Sequence, residues 1–316
     1  MKGFMVYMNK IPLAVIAGPT ASGKTRLAID AAKEFNGEIV SADSMQIYKY
    51  MDIGTAKPTE KEQCECKHHL IDFLEPDVDF SVADYAELAH KTIADITNRG
   101  KLAIMCGGTG LYIDSVVNDV DFGDMDTDYE YREKLREIAK TEGNDKLIEM
   151  LSKFDPVSAS RLHPNNLNRV IRAIEFYKAS GVPISEHQEM TKKKESRYQT
   201  IIFCIDYERE KLYERINSRV DIMLECGLLD EACKLIDMGY TAELNSMKGI
   251  GYKELFDYYD GKCTLDEASD MIKQNSRRYA KRQLTWFRRN KNIIMLNPEN
   301  ASEEIKPHLK HFLCEK

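Results

Sequence analysis

The sequence predicts an α/β fold, in which a parallel sheet core carries helices on both faces and a small all-helical insertion domain is added. Three observations predict it. An apolar run, Ile11 to Ala17, has the length of a buried strand, and the glycine-rich turn after it leads into a stretch with helical spacing, 25–35. A second apolar run, Leu102 to Cys106, also ends in a glycine turn that leads into a helix. Between residues 122 and 197 the strand signals stop and helical patterns dominate.

The first glycine turn fits the phosphate-binding pattern G-x-x-x-x-G-K-[ST], and its strand–turn–helix context is that of a P-loop. In this arrangement backbone N–H groups and a helix N-terminus converge on anionic oxygens. The expected core is therefore P-loop NTPase-like. We expect the whole turn to bind phosphate: Gly18, Pro19, Thr20, Ala21, Ser22, Gly23, Lys24 and Thr25. The pattern leaves open which phosphate compound is bound and what happens to it.

Two further polar residues follow predicted strands. Asp43 comes after the short strand 38–42, so it is expected at the carboxyl edge of the sheet, where open α/β folds bind ligands. The pattern also allows this carboxylate to be a turn or helix-cap residue. Thr109 lies in the second glycine turn, Gly107 to Tyr112. Two glycine turns at strand ends of one α/β unit can face one pyrophosphate from two sides.

The periodicity of apolar residues in the rest of the chain predicts the other strands and helices. It predicts strands at 69–72, 200–206 and 293–296, and helices at 81–99, 129–140, 145–154, 167–180, 209–226, 229–238, 252–259 and 265–289. Ser81 and Asp84 form a capping box at the start of the first of these helices, and Gly100 ends it. The acidic stretch 119–130 is expected to be a linker, and Lys192 to Lys194 a second, exposed linker. The predicted domains are 1–121 with 198–316, and 122–197.

The composition is that of a globular protein, with 316 residues of which 43% are hydrophobic and 31% charged. No apolar run reaches the roughly 18–20 residues that span a bilayer, and the N-terminus lacks a signal-peptide pattern, so we expect a cytoplasmic protein without membrane contact. The eight cysteines are expected to be reduced thiols. Cys64, Cys66, His68 and His69 are spaced too tightly for the usual paired metal ligands.

Basic charge is concentrated near the C-terminus, although the net charge of the chain is −7. The stretch from Met271 to Pro298 contains no Asp or Glu, and eight Lys or Arg residues. An acidic protein with one such basic element has a candidate face for a polyanion. A single arginine on a helix is more simply a solvated side chain, so the indication comes from the stretch as a whole.

In these motifs the sequence resembles the tRNA dimethylallyltransferases, the bacterial tRNA isopentenyltransferase family. The resemblance rests on GPTASGKT at 18–25, SADSMQIYKYMDIGTAKP at 41–58, HHLID at 68–72, GGTGLY at 107–112, RLHPNNLNRVIRAIE at 161–175, GIGYKE at 249–254 and KRQLTWFR at 281–288. These segments occur in the expected order over nearly the whole chain. Their combination is much more specific than any one of them.

The resemblance implies the reaction and the roles of several residues. A dimethylallyl group moves from dimethylallyl diphosphate to N6 of the adenine adjacent 3′ to the anticodon in a tRNA, and pyrophosphate is released. The P-loop then binds a prenyl diphosphate instead of ATP. By the same resemblance Asp43 is the general base, Lys24, Thr109 and Arg219 stabilise the leaving pyrophosphate, and Thr25 ligates Mg²⁺.

The resemblance also implies contacts with the anticodon stem-loop, part of them from the helical insertion domain. The implied tRNA-binding residues are Asp43, Ser44, Met45, Gln46, Asn168, Arg169, Val170, Ile171, Arg172, Lys248, Gly249, Ile250, Gly251, Tyr252, Lys253, Lys281, Arg282, Gln283 and Arg288. At Lys248 and Lys253 relatives often have arginine, and lysine keeps the charge but loses the planar fork. The expected state is a monomer.

Three other functions agree with parts of the pattern. A prenyltransferase that acts on a free adenine nucleotide would not need the basic stretch. A P-loop kinase would transfer phosphate from ATP and would be indifferent to a prenyl diphosphate. A non-catalytic RNA-binding protein would use the P-loop only as structure. The sequence favours prenyl transfer to tRNA, because this function accounts for the largest number of motifs.

Overall fold

The structure is a computed structural model and describes residues 10–120, 122, 128–193 and 195–314. The chain divides into two compact units. The first, which we call the sheet unit, combines the chain up to Val117 with the chain from Arg197. The second, which we call the helical unit, is the segment Asn118–Ser196. No helix of the described ranges is long and apolar enough to cross a membrane.

The sheet unit is built on six parallel strands within the described residues. They are β1 (Ile11–Ala17), β2 (Gly37–Ser41), β3 (His68–His69), β4 (Leu102–Gly107), β5 (Tyr198–Ile205) and β6 (Ile294–Leu296). The strand order is β3-β2-β4-β1-β5-β6, and all neighbours pair in parallel. Because parallel strands end at one edge of the sheet, the segments that follow β2, β4 and β1 lie side by side.

Strand β1 lies inside the sheet and is buried on both faces. Leu13 and Val15 pack into one hydrophobic cluster, while Ala14 and Ile16 pack into another, so this strand has no polar face. A continuous apolar run of this kind is typical of a parallel strand covered by helices on both sides. This confirms the prediction of an α/β fold with helices on both faces of the sheet.

Fourteen helices are assigned within the described residues. They are α1 (Lys24–Glu34), α2 (Glu60–Glu65), α3 (Val82–Asn98), α4 (Gly110–Val117), α5 (Tyr129–Glu142), α6 (Asn144–Ser152), α7 (Pro156–Arg161), α8 (Leu167–Ser180), α9 (Ile184–Lys193), α10 (Arg209–Glu225), α11 (Leu228–Asp237), α12 (Tyr252–Tyr259), α13 (Leu265–Phe287) and α14 (Ala301–Cys314). Helices α5 to α9 belong to the helical unit and the others to the sheet unit.

The capping box predicted for α3 is confirmed. The Ser81 hydroxyl accepts a hydrogen bond from the Asp84 N–H, and the Asp84 carboxylate accepts one from the Ser81 N–H at 2.8 Å. Gly100 follows the helix with a φ of +72°, a conformation that favours glycine. Local chemistry therefore determines where this helix starts and where the chain turns toward β4.

The helical unit has its own hydrophobic core. Leu135, Leu147, Val170 and Ile174 are buried together where α5, α6 and α8 meet. Glu175, on α8, is also buried, and its carboxylate accepts two hydrogen bonds of 2.8 Å from the Arg132 guanidinium. A buried carboxylate needs such a partner. This unit is thus a folded body with its own core and a buried carboxylate that is paired.

The sequence pattern did not predict helices α2, α7, α9 and α14. The expected exposed linker at Lys192 to Lys194 is wrong for its first two residues, which belong to α9, whereas Lys194 lies outside the described residues. Of the acidic stretch 119–130, residues 121 and 123–127 lie outside the described residues, and Tyr129 already begins α5.

Candidate active site

The P-loop connects β1 to α1 at the carboxyl edge of the sheet. Gly23 is the residue before the helix, with a φ of +84°, and Ala21 also has a positive φ, +62°. The Arg215 guanidinium, from α10, donates a hydrogen bond of 2.9 Å to the Ala21 carbonyl oxygen. This bond holds the turn in a backbone conformation that alanine rarely adopts. The loop is therefore preformed around the N-terminus of α1.

The second glycine turn packs directly against the first. A Cβ atom at Gly107 would lie 2.1 Å from the Ala42 carbonyl oxygen, so no larger residue fits beside the end of β2. A Cβ at Gly108 would lie 3.2 Å from the Gly18 carbonyl oxygen in the P-loop. The two turns are thus in contact, as the strand register that pairs Ala17 with Gly107 requires.

Asp43 and Thr109 are held close together by backbone hydrogen bonds. The Asp43 Oδ1 atom accepts from the Met45 N–H at 2.9 Å, and more weakly from the Gln46 N–H at 3.4 Å. The Thr109 hydroxyl oxygen accepts from the Ser44 N–H at 3.1 Å. These bonds tie the segment after β2 to the second glycine turn. Both side chains are half-buried, so they border the site and stay accessible.

Two cationic side chains lie near the Asp43 carboxylate. Burial lowers the pKa of Lys24, an effect that Cys106 and Asp43 oppose and that nearby Arg219 reinforces. Burial likewise lowers the pKa of Arg219, again opposed by Asp43, although a guanidinium keeps its proton in a protein. The P-loop end of the sheet therefore gathers two cations and one carboxylate, which favours an anionic ligand.

A small cavity of about 20 Å³ lies beside these residues. Thr25, Asp43, Ser41 and His68 are among the residues that line it. The His68 Nδ1 atom lies 2.8 Å from the Cys66 carbonyl oxygen, and burial lowers the pKa of the imidazole, so Nδ1 carries the proton and Nε2 is an acceptor. No described residue forms a hydrogen bond with that buried Nε2 atom.

Cys64, Cys66 and His69, the rest of the cluster that the sequence analysis considered for a metal, have other positions. Cys64 is exposed, while Cys66 packs into the hydrophobic core against α1. The His69 Nε2 atom lies 2.7 Å from the carboxylate of Glu38, which is itself 2% exposed. Each of these side chains thus has a structural position of its own.

Gln283 and Tyr279 lie one turn apart on α13 and next to residues of the two glycine turns. The Gln283 Oε1 atom accepts from the Thr20 N–H at 3.0 Å, and its Nε2 atom donates to the Gly108 carbonyl oxygen at 2.9 Å. The Tyr279 phenol lies beside the side chains of Thr109 and Gln283, and burial raises its pKa to about 12. Tyr279 was not among the residues predicted from the sequence, although its helical spacing of four from Gln283 indicates that the two side chains share a face.

The resemblance placed Gln283 among the tRNA contacts, and this is a correction. Gln283 is only 5% exposed and both ends of its amide are bonded to protein backbone, so its side chain is not available to RNA. The Gln46 amide is likewise hydrogen-bonded within the protein. Its amide donates to the carbonyl oxygens of Thr55 and Ala56 and accepts from the Ser41 hydroxyl.

In the helical unit, the implied tRNA contacts on α8 separate by face. Asn168 and Arg169 are exposed and Arg172 is half-buried, so these three can meet a ligand. Val170 and Ile171 are 0% and 1% exposed and belong to the core. We therefore remove these two side chains from the candidate contacts, because the same helix must bury one face to fold.

The implied contacts at 248–253 also divide. Lys248 and Lys253 are exposed, whereas Tyr252 is 1% exposed and its hydroxyl donates to Glu231 at 2.6 Å. Tyr252 is therefore a core residue. Gly249, Ile250 and Gly251 form the turn before α12, and a Cβ at Gly249 would lie 2.5 Å from the Met45 methyl group. This turn supports the segment that carries Asp43.

On α13 and just after it, the basic residues have different partners. Lys281 and Arg282 are exposed. The Arg288 guanidinium instead forms an ion pair of 2.9 Å with Asp206, at the end of β5. Arg288 is thus paired within the sheet unit but exposed, so all three basic side chains are accessible.

Known proteins are similar to this chain in sequence and in fold. The IPP transferase family matches residues 46–290. A tRNA dimethylallyltransferase of Acetivibrio thermocellus is 52% identical over 302 residues, which are 95% of this chain and 96% of that protein. One of Lachnoclostridium phytofermentans is 47% identical over 307 residues, 96% of this chain and 98% of that protein.

Solved structures agree with these sequence comparisons. The full-length tRNA isopentenylpyrophosphate transferase of Bacillus halodurans is similar with a TM-score of 0.73 and 45% identity, over 97% of this chain and 98% of that one. A eukaryotic dimethylallyltransferase acting on tRNA is similar with a TM-score of 0.84 and 29% identity, over 96% of this chain and 80% of that one.

Proposed function

The chain belongs to the IPP transferase family, and we infer from its relatives that it is an enzyme that transfers a dimethylallyl group to tRNA. We propose further that the acceptor is N6 of the adenine adjacent 3′ to the anticodon and that the donor is dimethylallyl diphosphate. The observation that carries the proposal is the contact between the two glycine turns, beside Asp43, Lys24 and Arg219.

The two turns suit the leaving pyrophosphate. When the allylic C–O bond breaks, the carbon becomes cationic and negative charge collects on the diphosphate oxygens. Donors that already point to those oxygens lower the barrier, and losing one such donor typically costs about 10²–10³ in rate. The N–H groups of Ala21 to Thr25, the Lys24 ammonium, the Arg219 guanidinium and the Thr109 hydroxyl are assigned this role.

Asp43 is assigned the role of the general base that accepts a proton. The exocyclic amine of adenine is a weak nucleophile, because its lone pair is delocalised into the ring. As the new C–N bond forms the nitrogen becomes cationic, and its proton passes to the Asp43 carboxylate while pyrophosphate departs. The hydrogen bonds from Met45 and Gln46 orient one carboxylate oxygen. General-base help of this kind is typically worth about 10²–10⁴ in rate.

The residues beside the small cavity fit a magnesium ion with its waters. The Thr25 hydroxyl offers an oxygen ligand of the kind that Mg²⁺ prefers, and the unpartnered Nε2 atom of His68 can accept a hydrogen bond from a metal-bound water. When bound, the ion would neutralise charge on the diphosphate. The test is calorimetric: pyrophosphate should bind in the presence of Mg²⁺ and much more weakly with a chelator.

Accessible basic side chains in each unit are proposed to bind the RNA backbone. They are the exposed Arg169 and the half-buried Arg172 in the helical unit, and the exposed Lys248, Lys253, Lys281, Arg282 and Arg288 in the sheet unit. Ser44 and Asn168 are kept as candidate contacts because neither is buried. The target base has to leave the stack of the loop, which costs a few kcal/mol and is cheapest in single-stranded RNA.

We propose that the enzyme acts as a monomer in the cytoplasm. The diphosphate site needs no second copy, since the P-loop, the second glycine turn and the assigned catalytic side chains all come from one chain. The cytoplasm follows from the tRNA substrate. Light scattering of the purified protein tests the first statement.

The direct test of the function uses labelled dimethylallyl diphosphate, Mg²⁺ and an anticodon stem-loop with adenine 3′ of the anticodon. Label should enter the RNA, with one pyrophosphate released for each group transferred. Label in AMP but not in RNA would instead identify a nucleotide prenyltransferase. Phosphate transfer from ATP would identify a kinase, and RNA binding without any product would identify a non-catalytic binder.

A further inference from the structure

Gln283 joins the two walls of the diphosphate site with a single side chain. The Thr20 N–H can only donate and the Gly108 carbonyl can only accept, so both bonds require the amide in one orientation. The Gly108 position also leaves no space, since a Cβ there would lie 2.2 Å from the Gln283 Nε2 atom. The sheet already places the two turns side by side, and the Gln283 amide on α13 links them directly.

The same helix also contacts the catalytic segment. The Tyr279 phenol, one turn before Gln283, lies beside the side chains of Thr109 and Gln283. The Trp286 indole, three residues after Gln283, donates a hydrogen bond of 2.9 Å to Asp114 on α4. Helix α13 thus contacts both glycine turns and the helix that follows the second one, through three side chains on one face.

Exposed positive charge lies next to these side chains on α13, where the Arg282 guanidinium is 5.5 Å from the centre of the Tyr279 ring. Lys281 and Arg282 come immediately before Gln283 in the chain and are exposed. The helix is 23 residues long and its hydrogen-bonded backbone transmits a shift along its axis to every residue that it carries. RNA phosphates bound by the two cations would restrain the helix, and with it the Gln283 amide.

We propose that Gln283 is a positioning residue that couples RNA binding on α13 to pyrophosphate binding between the two glycine turns. This inference rests on the proposed function and adds to it a cooperative order: an enzyme with RNA bound holds the diphosphate more tightly. The coupling is reciprocal by thermodynamic necessity, and couplings of this kind typically amount to about 5–150-fold in affinity.

The test measures pyrophosphate binding by calorimetry with Mg²⁺, once without and once with a saturating anticodon stem-loop. In the wild type the stem-loop should tighten pyrophosphate binding by about tenfold. Gln283→Met has similar length but cannot form the two bonds, and it should reduce the ratio of the two dissociation constants to within twofold. Gln274→Ala, a change at an exposed position of the same helix, should leave the wild-type ratio.

The ratio of the two dissociation constants distinguishes coupling from a merely structural role. A fraction of unfolded protein lowers the number of binding sites equally in both titrations and leaves this ratio unchanged. Gln283→Glu is a second variant, which can still accept from Thr20 but cannot donate to Gly108 and should also lose the coupling. An unchanged ratio in both Gln283 variants overturns the inference, as does a wild-type ratio of one. A wild type that does not bind the stem-loop would contradict the proposed function and, with it, the proposed coupling.

Discussion

Replacing Asp43 by asparagine should remove the proton acceptor and leave the geometry around it intact. Asparagine keeps a carbonyl oxygen that can accept from the Met45 N–H, now 2.9 Å from Oδ1, so the segment after β2 retains its turn. What is lost is the negative charge beside Lys24 and Arg219 and the ability to take a proton. We therefore expect a fall of about 10²–10⁴ in turnover, which corresponds to about 2.7–5.4 kcal/mol of barrier.

Single-turnover prenylation of a saturating stem-loop measures that loss, and filter binding of the same RNA measures affinity. The stem-loop dissociation constant should change by no more than about threefold, or roughly 0.7 kcal/mol. Asp206→Asn is the matched control, because it removes a carboxylate at the end of β5 that pairs with Arg288 and not with the P-loop. Asp43 would lose its assigned role if the variant bound RNA tenfold more weakly while its single-turnover rate stayed near the wild-type rate.

Three further outcomes are expected. Glu38→Gln should lower the free energy of unfolding in urea at neutral pH by about 3 kcal/mol. This value is at the low end for a broken buried ion pair, because the side chains of Arg99 and Lys101 are each 36% exposed and can turn to water. Because Arg99 first of all holds the pKa of Glu38 well below its ordinary value, this difference should shrink as the pH falls below about 4, and a difference constant down to pH 3 would contradict the assignment. Arg282→Gln should weaken stem-loop binding in proportion to one lost phosphate contact and reduce the salt slope by about one, with an unchanged slope as the contrary result. Gly108→Ala should weaken pyrophosphate binding in calorimetry, because its Cβ would displace the Gln283 amide, and wild-type binding would show that this packing has no consequence.

Much of the fold follows from short-range patterns in the chain. Strand β1 begins and ends where its apolar run does, because both of its faces are buried and no polar alternation obscures the signal. The capping box of α3 is likewise a local device. Helix α14 is different: Pro307 lies inside it, and a proline in that position argues against a helix. Burial of Ile305 and Leu309 in a core cluster that includes α1 residues stabilises the helix nevertheless, and the sequence alone does not display that partner.

The candidate site likewise contains residues whose position the sequence predicted and residues whose position it did not. The P-loop and Asp43 were identifiable because their chemistry depends on a strand end and a few neighbouring residues. Gln283 was assigned to RNA, because its motif is basic and its partners, Thr20 and Gly108, lie 263 and 175 residues away in the chain. Val170 and Ile171 were assigned with the arginines beside them, although only one face of α8 is exposed. Contacts made across the fold decide which member of a motif meets the ligand.

The two glycine turns are proposed to hold a prenyl diphosphate whose organic group passes to one defined adenine of tRNA. Nuclease digestion and mass spectrometry of the reacted stem-loop test this most directly. We expect the dimethylallyl group on the adenine adjacent 3′ to the anticodon, attached at N6, and none when that position carries inosine, which has no exocyclic amine. Modification of another nucleotide, or an inosine stem-loop that is modified equally well, would contradict the account.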